Sequence, residues 1–286
     1  MIRSLLFIPG NKENMLAKAE TCNPDVVLPD MEDSVPDGEK NSARATIAQW
    51  LPRLAAHEAR LMPRVNSIGT DWFKDDIYAA AAPGVWGLSI GKVDSAGDIS
   101  AISSVMAQAE REAGLVVGSL RLIPWIETAL AIVNCFEICK ASDRIEAIAF
   151  GGEDYAADMS IERLDDESNV MHARSTICNA ARAAHILALD TPYFQFRDNE
   201  GLTTSCLAAK QTGFKGRFAI HPGQIETINH CFSPTAAEIE SARRIVAAFE
   251  EAERRGRGST SLDDRVIDVP VVKRARALLA QADAAD

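Results

Sequence analysis

The stretches RLIPWIET (residues 121–128) and AIAFGGEDY (residues 147–155) each run through apolar residues and stop at an acid, Glu127 in the first and Asp154 in the second. A short apolar run ended by a polar turn reads as a buried parallel strand, and helical periodicity after it completes one βα unit. Working outward, similar runs stand at 4–8, 25–28, 60–63, 85–90, 119–123, 147–150, 188–189 and 218–220. Segments with apolar residues three and four apart lie at 11–21, 39–57, 96–113, 128–141, 171–186 and 203–212. Eight strands alternating with helices at about 30 residues per unit predict an α/β fold, a (β/α)8 TIM barrel rather than an open sheet. No GxGxxG follows any strand, which argues against dinucleotide binding.

A barrel of this kind carries its chemistry at the carboxyl ends of the strands and in the loops that follow. Those positions hold Asp30, Glu32 and Asp33, then Arg64 and Asn66, Lys92 and Asp94, Glu127, Glu153 and Asp154, and finally His221. Any one acid after a strand reads equally well as a helix cap or first-turn residue. Recurrence in adjacent units, with an arginine on the same rim, points instead to a metal site. Magnesium is held in this way, by one or two carboxylates with water and substrate oxygens completing the shell. Lys92 keeps a Schiff-base aldolase open as an alternative, because a desolvated barrel lysine can act as a nucleophile.

Composition narrows the class further. The 286 residues, 47% of them hydrophobic, can bury one large core, as a single barrel of about 250 residues does. Acidic residues outnumber basic ones 41 to 30, which argues against non-specific binding to nucleic acid or an anionic membrane. An anionic substrate must then be met by local cations. The start MIRSLLFIPGNKEN has only a short apolar run and does not read as a signal peptide, and no segment reaches the roughly 20 apolar residues of a membrane helix. Six cysteines, at 22, 135, 139, 178, 206 and 231, form no CxxC pair. Reduced structural thiols and a cytoplasmic location are expected.

Taken together, RSLLFIPGNKENMLAKA, PDMEDSVPDGEKNSAR, PRVN, LIPWIET, FGGEDYAADM, GFKGRFAIHPGQI and DDRVIDVPVVKRA resemble, in order and spacing, the citrate lyase beta subunit-like proteins. That family lies in the HpcH/HpaI aldolase and citrate lyase superfamily, with malyl-CoA and citramalyl-CoA lyases among its relatives. The resemblance spans nearly the whole chain. It implies a magnesium-dependent barrel that cleaves or forms a carbon–carbon bond in a 3-hydroxyacyl thioester, yielding an acyl-thioester and a 2-oxo acid. Matched by position, it implies Glu127 and Asp154 as ligands of Mg2+ and Arg64 as the grip on the substrate carboxylate. Phe7, Lys12, Lys18, Ile220 and His221 match positions around the thioester. The implied carrier is coenzyme A or a carrier protein, and the implied assembly a homotrimer or hexamer. Aldolases on free hydroxy-oxo acids, and a lyase subunit serving a larger complex, remain as alternatives. Gly91 stands where the family commonly has proline, which reads as a change of loop stiffness.

The expected boundary falls after residue 232. The barrel would occupy 1–232, and 233–286 would form a helical extension that, as the resemblance implies, lids the neighbouring subunit. In that extension 235–255 is an amphipathic helix, GRGSTSLDD reads as a flexible link, and a second helix follows within 265–280. Asp268 of VIDVP matches the family's acid, which exchanges a proton with the acyl-thioester carbon. The plain alternative, from the residues alone, is that Asp268 caps the helix behind it. Asp264, Arg265 and Val266 depart from the family pattern just before it.

Overall fold

Parallel pairing runs round a full circle in the computed structural model, which describes residues 1–164 and 166–283. The strands are β1 Ser4–Pro9, β2 Val26–Asp30, β3 Arg60–Leu61, β4 Arg64–Val65, β5 Gly87–Ile90, β6 Arg121–Ile126, β7 Ala147–Phe150, β8 Leu187–Asp190 and β9 Gly216–Ala219. Their order is β1-β9-β8-β7-β6-β5-β4-β2-β3, and β1 pairs with β2 to close the ring. The short pieces β3 and β4 both pair with β2, so they share one stave and the barrel has eight. The run at 60–63 is thus broken rather than continuous. Pro63 has no N–H to donate, so the ladder lapses there and resumes at Arg64.

Alternate residues on each stave point inward. Leu5, Val26, Leu28, Met62, Ile123, Trp125, Ala147, Ala149, Leu189 and Phe218 form one buried cluster. Alanines on β7 leave room for the large rings of Trp125 and Phe218, whose centroids lie 4.3 Å apart, and Phe7 stacks on Phe218 at 5.3 Å. The same parity carries past the cluster to Phe7, Asp30, Arg64, Gly91, Glu127, Gly151, Thr191 and Ile220, one step nearer the carboxyl ends. The barrel's top layer is therefore chemical where the layers below are apolar.

Several elements differ from the sequence expectation. The fifth strand is shifted from 119–123 to Arg121–Ile126, so Glu127 follows it directly. The helix expected over 128–141 breaks at Asn134 into Ala129–Val133 and Cys135–Lys140. Three helices, Phe73–Ala80, Gly152–Asp158 and Ile225–Phe232, were not legible as such. Each spans only about two turns, too short for periodicity to register, and the second opens on Gly151 and Gly152, poor helix formers.

The chain divides into two compact units, Ile2–Asn229 and a second made of Met1 with His230–Asp286. The second holds the helix Ala236–Arg254, started by a capping box between Thr235 and Glu238, then a hairpin and the helix Val269–Asp283. The expected flexible link is in fact that hairpin, β10 Thr260–Leu262 paired with β11 Arg265–Ile267. Asp263 and Asp264 at its tip take φ of 45° and 60°, the left-handed pair that a tight hairpin turn demands and aspartate tolerates. Phe249, Ile267 and Val272 give this unit its own small core.

Beneath the barrel rim lies a buried charge network. Asp190 is wholly buried and pairs with Arg217, also wholly buried, and with Arg174. Arg174 Nη2 donates to Asp190 Oδ2 at 3.1 Å, while its Nη1 lies 2.9 Å from Oδ1 off the hydrogen-bonding direction. Removing one member of such a set strands the others in low dielectric. Asp190→Asn is expected to destabilise the protein by about 3–5 kcal/mol in urea unfolding.

Candidate active site

The top layer lines a cavity of about 290 Å³ bounded by Phe7, Asp30, Asp33, Ser34, Arg64, Trp125, Glu127, Gly151, Gly152, Glu153, Asp154, Thr191, Pro192, Phe194 and Ile220. Three of the expected catalytic residues, Arg64, Glu127 and Asp154, meet here. Glu127 stands directly behind β6, and the helix after it is capped by Thr128, whose hydroxyl accepts from Ala131 N at 3.0 Å. The helix-cap reading of Glu127 is thereby removed. Asp154 sits in the first turn of Gly152–Asp158, where the helix dipole favours a carboxylate.

Glu127 is buried and takes a 2.5 Å hydrogen bond on Oε1 from the backbone N–H of Lys92. Lys92 adopts a left-handed φ of 56° to deliver it. Burial, with repulsion from Glu32 and Asp154, pushes the Glu127 carboxyl up to about 8. Asp154 is raised too, by burial and by the charge of Asp33. A Cβ at residue 91 would lie 2.9 Å from both Glu127 Oε1 and Glu32 Oε1, and one at residue 151 would overlap Glu127 Oε2. The glycine in place of the family's proline therefore opens room for two carboxylates rather than only loosening the loop.

Arg64 is held by three acids. Its Nε and Nη2 donate to Asp30 Oδ1 and Oδ2 at 2.7 and 2.6 Å, and its Nη1 meets Asp33 Oδ2 at 2.9 Å and Glu32 Oε2 at 3.0 Å. The guanidinium lies over the Phe7 ring, 4.4 Å from its centroid. Asp30 is itself fixed by the backbone N–H groups of Glu32 and Ser34. The Arg64 charge keeps its carboxyl below the usual range although burial alone would raise it. Asn66 of the PRVN stretch donates to Met31 O at 2.8 Å and to Asp76 at 2.6 Å, and the buried Lys40 donates to the carbonyls of Met31 and Glu32. These residues set the acidic loop in place. Lys92 Nζ bridges Glu32 at 3.0 Å and Asp33 at 3.5 Å.

Other expected site residues fall differently. Phe7 and Ile220 line the cavity. Lys12, just before the helix Glu13–Ala19, and Lys18, in its last turn, stand exposed outside the lining. His221 is exposed, stacks on Phe196 at 5.1 Å, and accepts from Gly223 N at 3.0 Å, which makes it the cap of the turn at Pro222. Asp268 lies in the second unit, where its Oδ1 accepts from Val271 N at 3.2 Å and caps the last helix. Trp125, Gly151, Thr191 and Phe194 were missed. The first three were recoverable from strand parity, while Phe194 belongs to a loop that gives no periodic signal.

Two carboxylates on one cavity, each driven above its ordinary range by burial and by neighbouring acids, fit a divalent cation, whose charge would restore their ionised forms. Among the described residues no group of three or more His, Cys, Asp or Glu is arranged to hold a metal. A cation here would draw on Glu127 and Asp154 and complete its shell with water and substrate oxygens, the habit of magnesium.

The raised Glu127 pKa fixes a pH trend. At this group the folded state binds more proton than the unfolded chain between about 4.5 and 8, so its contribution to stability is fully present below that window and is lost as pH rises through it. Urea unfolding in the presence of chelator is expected to show stability falling from pH 5.5 to pH 8, with a Glu127 share of at most about 1.4 kcal/mol per pH unit. Glu127→Gln removes that share of the slope.

Residues 3–222 match the model of the family HpcH/HpaI aldolase/citrate lyase. The citrate lyase subunit beta of Leuconostoc mesenteroides subsp. cremoris is 37% identical over 99% of this chain and 93% of its own. A (3S)-malyl-CoA thioesterase of Cereibacter sphaeroides is 36% identical over 99% of this chain and 95% of its own. Among solved structures, the protein CitE of Mycobacterium tuberculosis, in complex with magnesium, acetoacetate and coenzyme A, superposes with a TM-score of 0.80 at 28% identity, covering 99% of this chain and 98% of that one. With a barrel of the same architecture and full-length similarity, the chain belongs to the HpcH/HpaI aldolase/citrate lyase family and is a carbon–carbon lyase.

Proposed function

We propose that the chain is a magnesium-dependent lyase that cleaves a 3-hydroxyacyl thioester, such as a citryl-, malyl- or citramalyl-CoA, into an acyl-thioester and a 2-oxo acid, or joins them in reverse. The observation that carries this reading is the convergence of Glu127, Asp154 and Arg64 on one cavity with an aromatic floor. The relative bound to magnesium, acetoacetate and coenzyme A supports it.

Cleavage breaks the bond between the hydroxyl-bearing carbon and the carbon next to the thioester. The hydroxyl gives its proton to solvent, its oxygen becomes the carbonyl of the 2-oxo acid, and the bonding pair passes to the thioester enolate, which is later protonated on carbon by an acid that solvent recharges. Glu127 and Asp154 would hold magnesium, which would supply Lewis acidity to the oxo-acid half. Arg64 pairs with the substrate carboxylate through charge-assisted hydrogen bonds, and Asp30 keeps the guanidinium aimed into the cavity. Trp125, Phe7 and Phe218 keep water from the floor. Asp268, delivered by the extension of a neighbouring subunit in a homotrimer or hexamer, protonates the enolate carbon as general acid. Its capping bond to Val271 N orients the carboxylate for that role.

The Schiff-base alternative fares worse. A nucleophilic lysine must shed its proton, and the Lys92 ammonium is paired to Glu32 and Asp33; burial alone would lower its pKa, but these acids raise it. Borohydride with a 2-oxo acid is therefore expected to leave no adduct on the protein, as read by mass spectrometry. With magnesium and a panel of 3-hydroxyacyl-CoA esters, 2-oxo acid should appear together with acyl-CoA. Release of free CoA without 2-oxo acid would indicate a thioesterase instead, and no turnover of any CoA ester would indicate a carrier-protein thioester or a free hydroxy-oxo acid. Glu127→Ala and Asp154→Ala are each expected to lower turnover by about a thousandfold or more, and near-normal turnover in excess magnesium would overturn the metal assignment.

A further inference from the structure

Of the three acids on Arg64, two are structural. Asp30 is wholly buried, occupies Nε and Nη2 in a bidentate pair and is tied by two backbone N–H groups. Glu32 is 4% exposed and is absent from the cavity wall. Asp33 differs on each count. Its side chain is 52% exposed, it faces the cavity, and its polar contacts are the two cations, Arg64 Nη1 at 2.9 Å and Lys92 Nζ at 3.5 Å. Apart from the hydrogen bond from Arg64 Nη1, no hydrogen bond to its carboxylate is seen among the described residues.

Building on the reading of Arg64 as the substrate's carboxylate partner, we propose that Asp33 is an internal stand-in for that carboxylate. It occupies the open edge of Arg64 beside Lys92 and swings to solvent when substrate enters. The geometry requires an exchange of this kind. Asp30 cannot yield Nε and Nη2 without stranding a buried charge, so Nη1 is the edge a substrate can take, and Asp33 is the movable group on it. Exchange keeps Arg64 and Lys92 paired in both states, so neither cation is left uncompensated when the cavity empties. The same exchange gives selectivity, because a ligand without an anionic carboxylate has nothing to offer in return for displacing Asp33.

The test is calorimetric titration with pyruvate and with methyl pyruvate, its uncharged ester, in saturating magnesium. Asp33→Asn and Asp33→Ala should bind pyruvate more tightly than the natural protein by roughly fivefold, which corresponds to about 1 kcal/mol, the upper end for a half-exposed ion pair. Methyl pyruvate should show no such gain. Unchanged or weaker pyruvate binding in both variants, or an equal gain for the ester, would overturn the proposal. Arg64→Lys separates this from the underlying reading. If that variant loses pyruvate binding while the Asp33 variants gain nothing, Arg64 remains the carboxylate partner and only the stand-in role fails. If Arg64→Lys binds pyruvate as the natural protein does, the assignment of Arg64 fails with it.

Discussion

Strand parity in a closed parallel barrel is the constraint on which the site depends. Once β1 pairs with β2, every stave must send alternate side chains into a lumen of fixed width. Leu5, Leu28, Met62, Trp125, Ala149, Leu189 and Phe218 fill it, and the next inward position on each stave is then committed to the mouth. Phe7, Asp30, Arg64, Glu127, Gly151, Thr191 and Ile220 line the cavity for this reason. Chemistry and core are successive layers of one periodic pattern.

Charge in that top layer is not balanced pair by pair. Asp30, Glu32, Asp33, Glu127 and Asp154 face Arg64 and Lys92 across a small volume, leaving an excess of acid. Arg64 consumes its strongest geometry on Asp30, and Lys92 spends its ammonium on Glu32 and Asp33. Glu127 therefore has a backbone N–H but no ion pair among the described residues, and burial with repulsion from Glu32 and Asp154 raises its pKa against the weaker pull of Lys92. A structural ion-pair network would have placed a counter-charge there. That deficit is a physical reason for the proposal that places the metal on Glu127 and Asp154 rather than on the equally acidic loop at 30–33.

The barrel was readable because strong apolar runs recur at regular spacing, and Glu127 and Asp154 because each closes such a run. Arg64 was readable through PRVN and its three acids through their place on the same rim, but the pairing between them was not, since residues 30–33 reach Arg64 across 31 or more positions of sequence. Lys92 was singled out for its side chain, whereas the contact it makes to Glu127 is through its backbone at positive φ, which no side-chain pattern announces. The hairpin at 260–267 was hidden for a related reason. Gly and Ser suggested flexibility, while the turn was encoded by Asp263 and Asp264, residues that accept left-handed φ.

The two glycines beside Glu127 bring these strands of argument together. Gly151 is the inward position of β7 at the top layer, and any side chain there would collide with Glu127 Oε2 and with its Cβ at 2.5 Å. Gly91 holds the equivalent position after β5 and adjoins the oxygens of both Glu127 and Glu32. Parity alone would have sent two more side chains into the mouth at these points. Their absence lets Glu127 lie buried close to the carboxylates of neighbouring staves, whose charge adds to burial in raising its pKa, and that convergence, more than any single acid, is what supports the proposed cation site over a ring of helix caps.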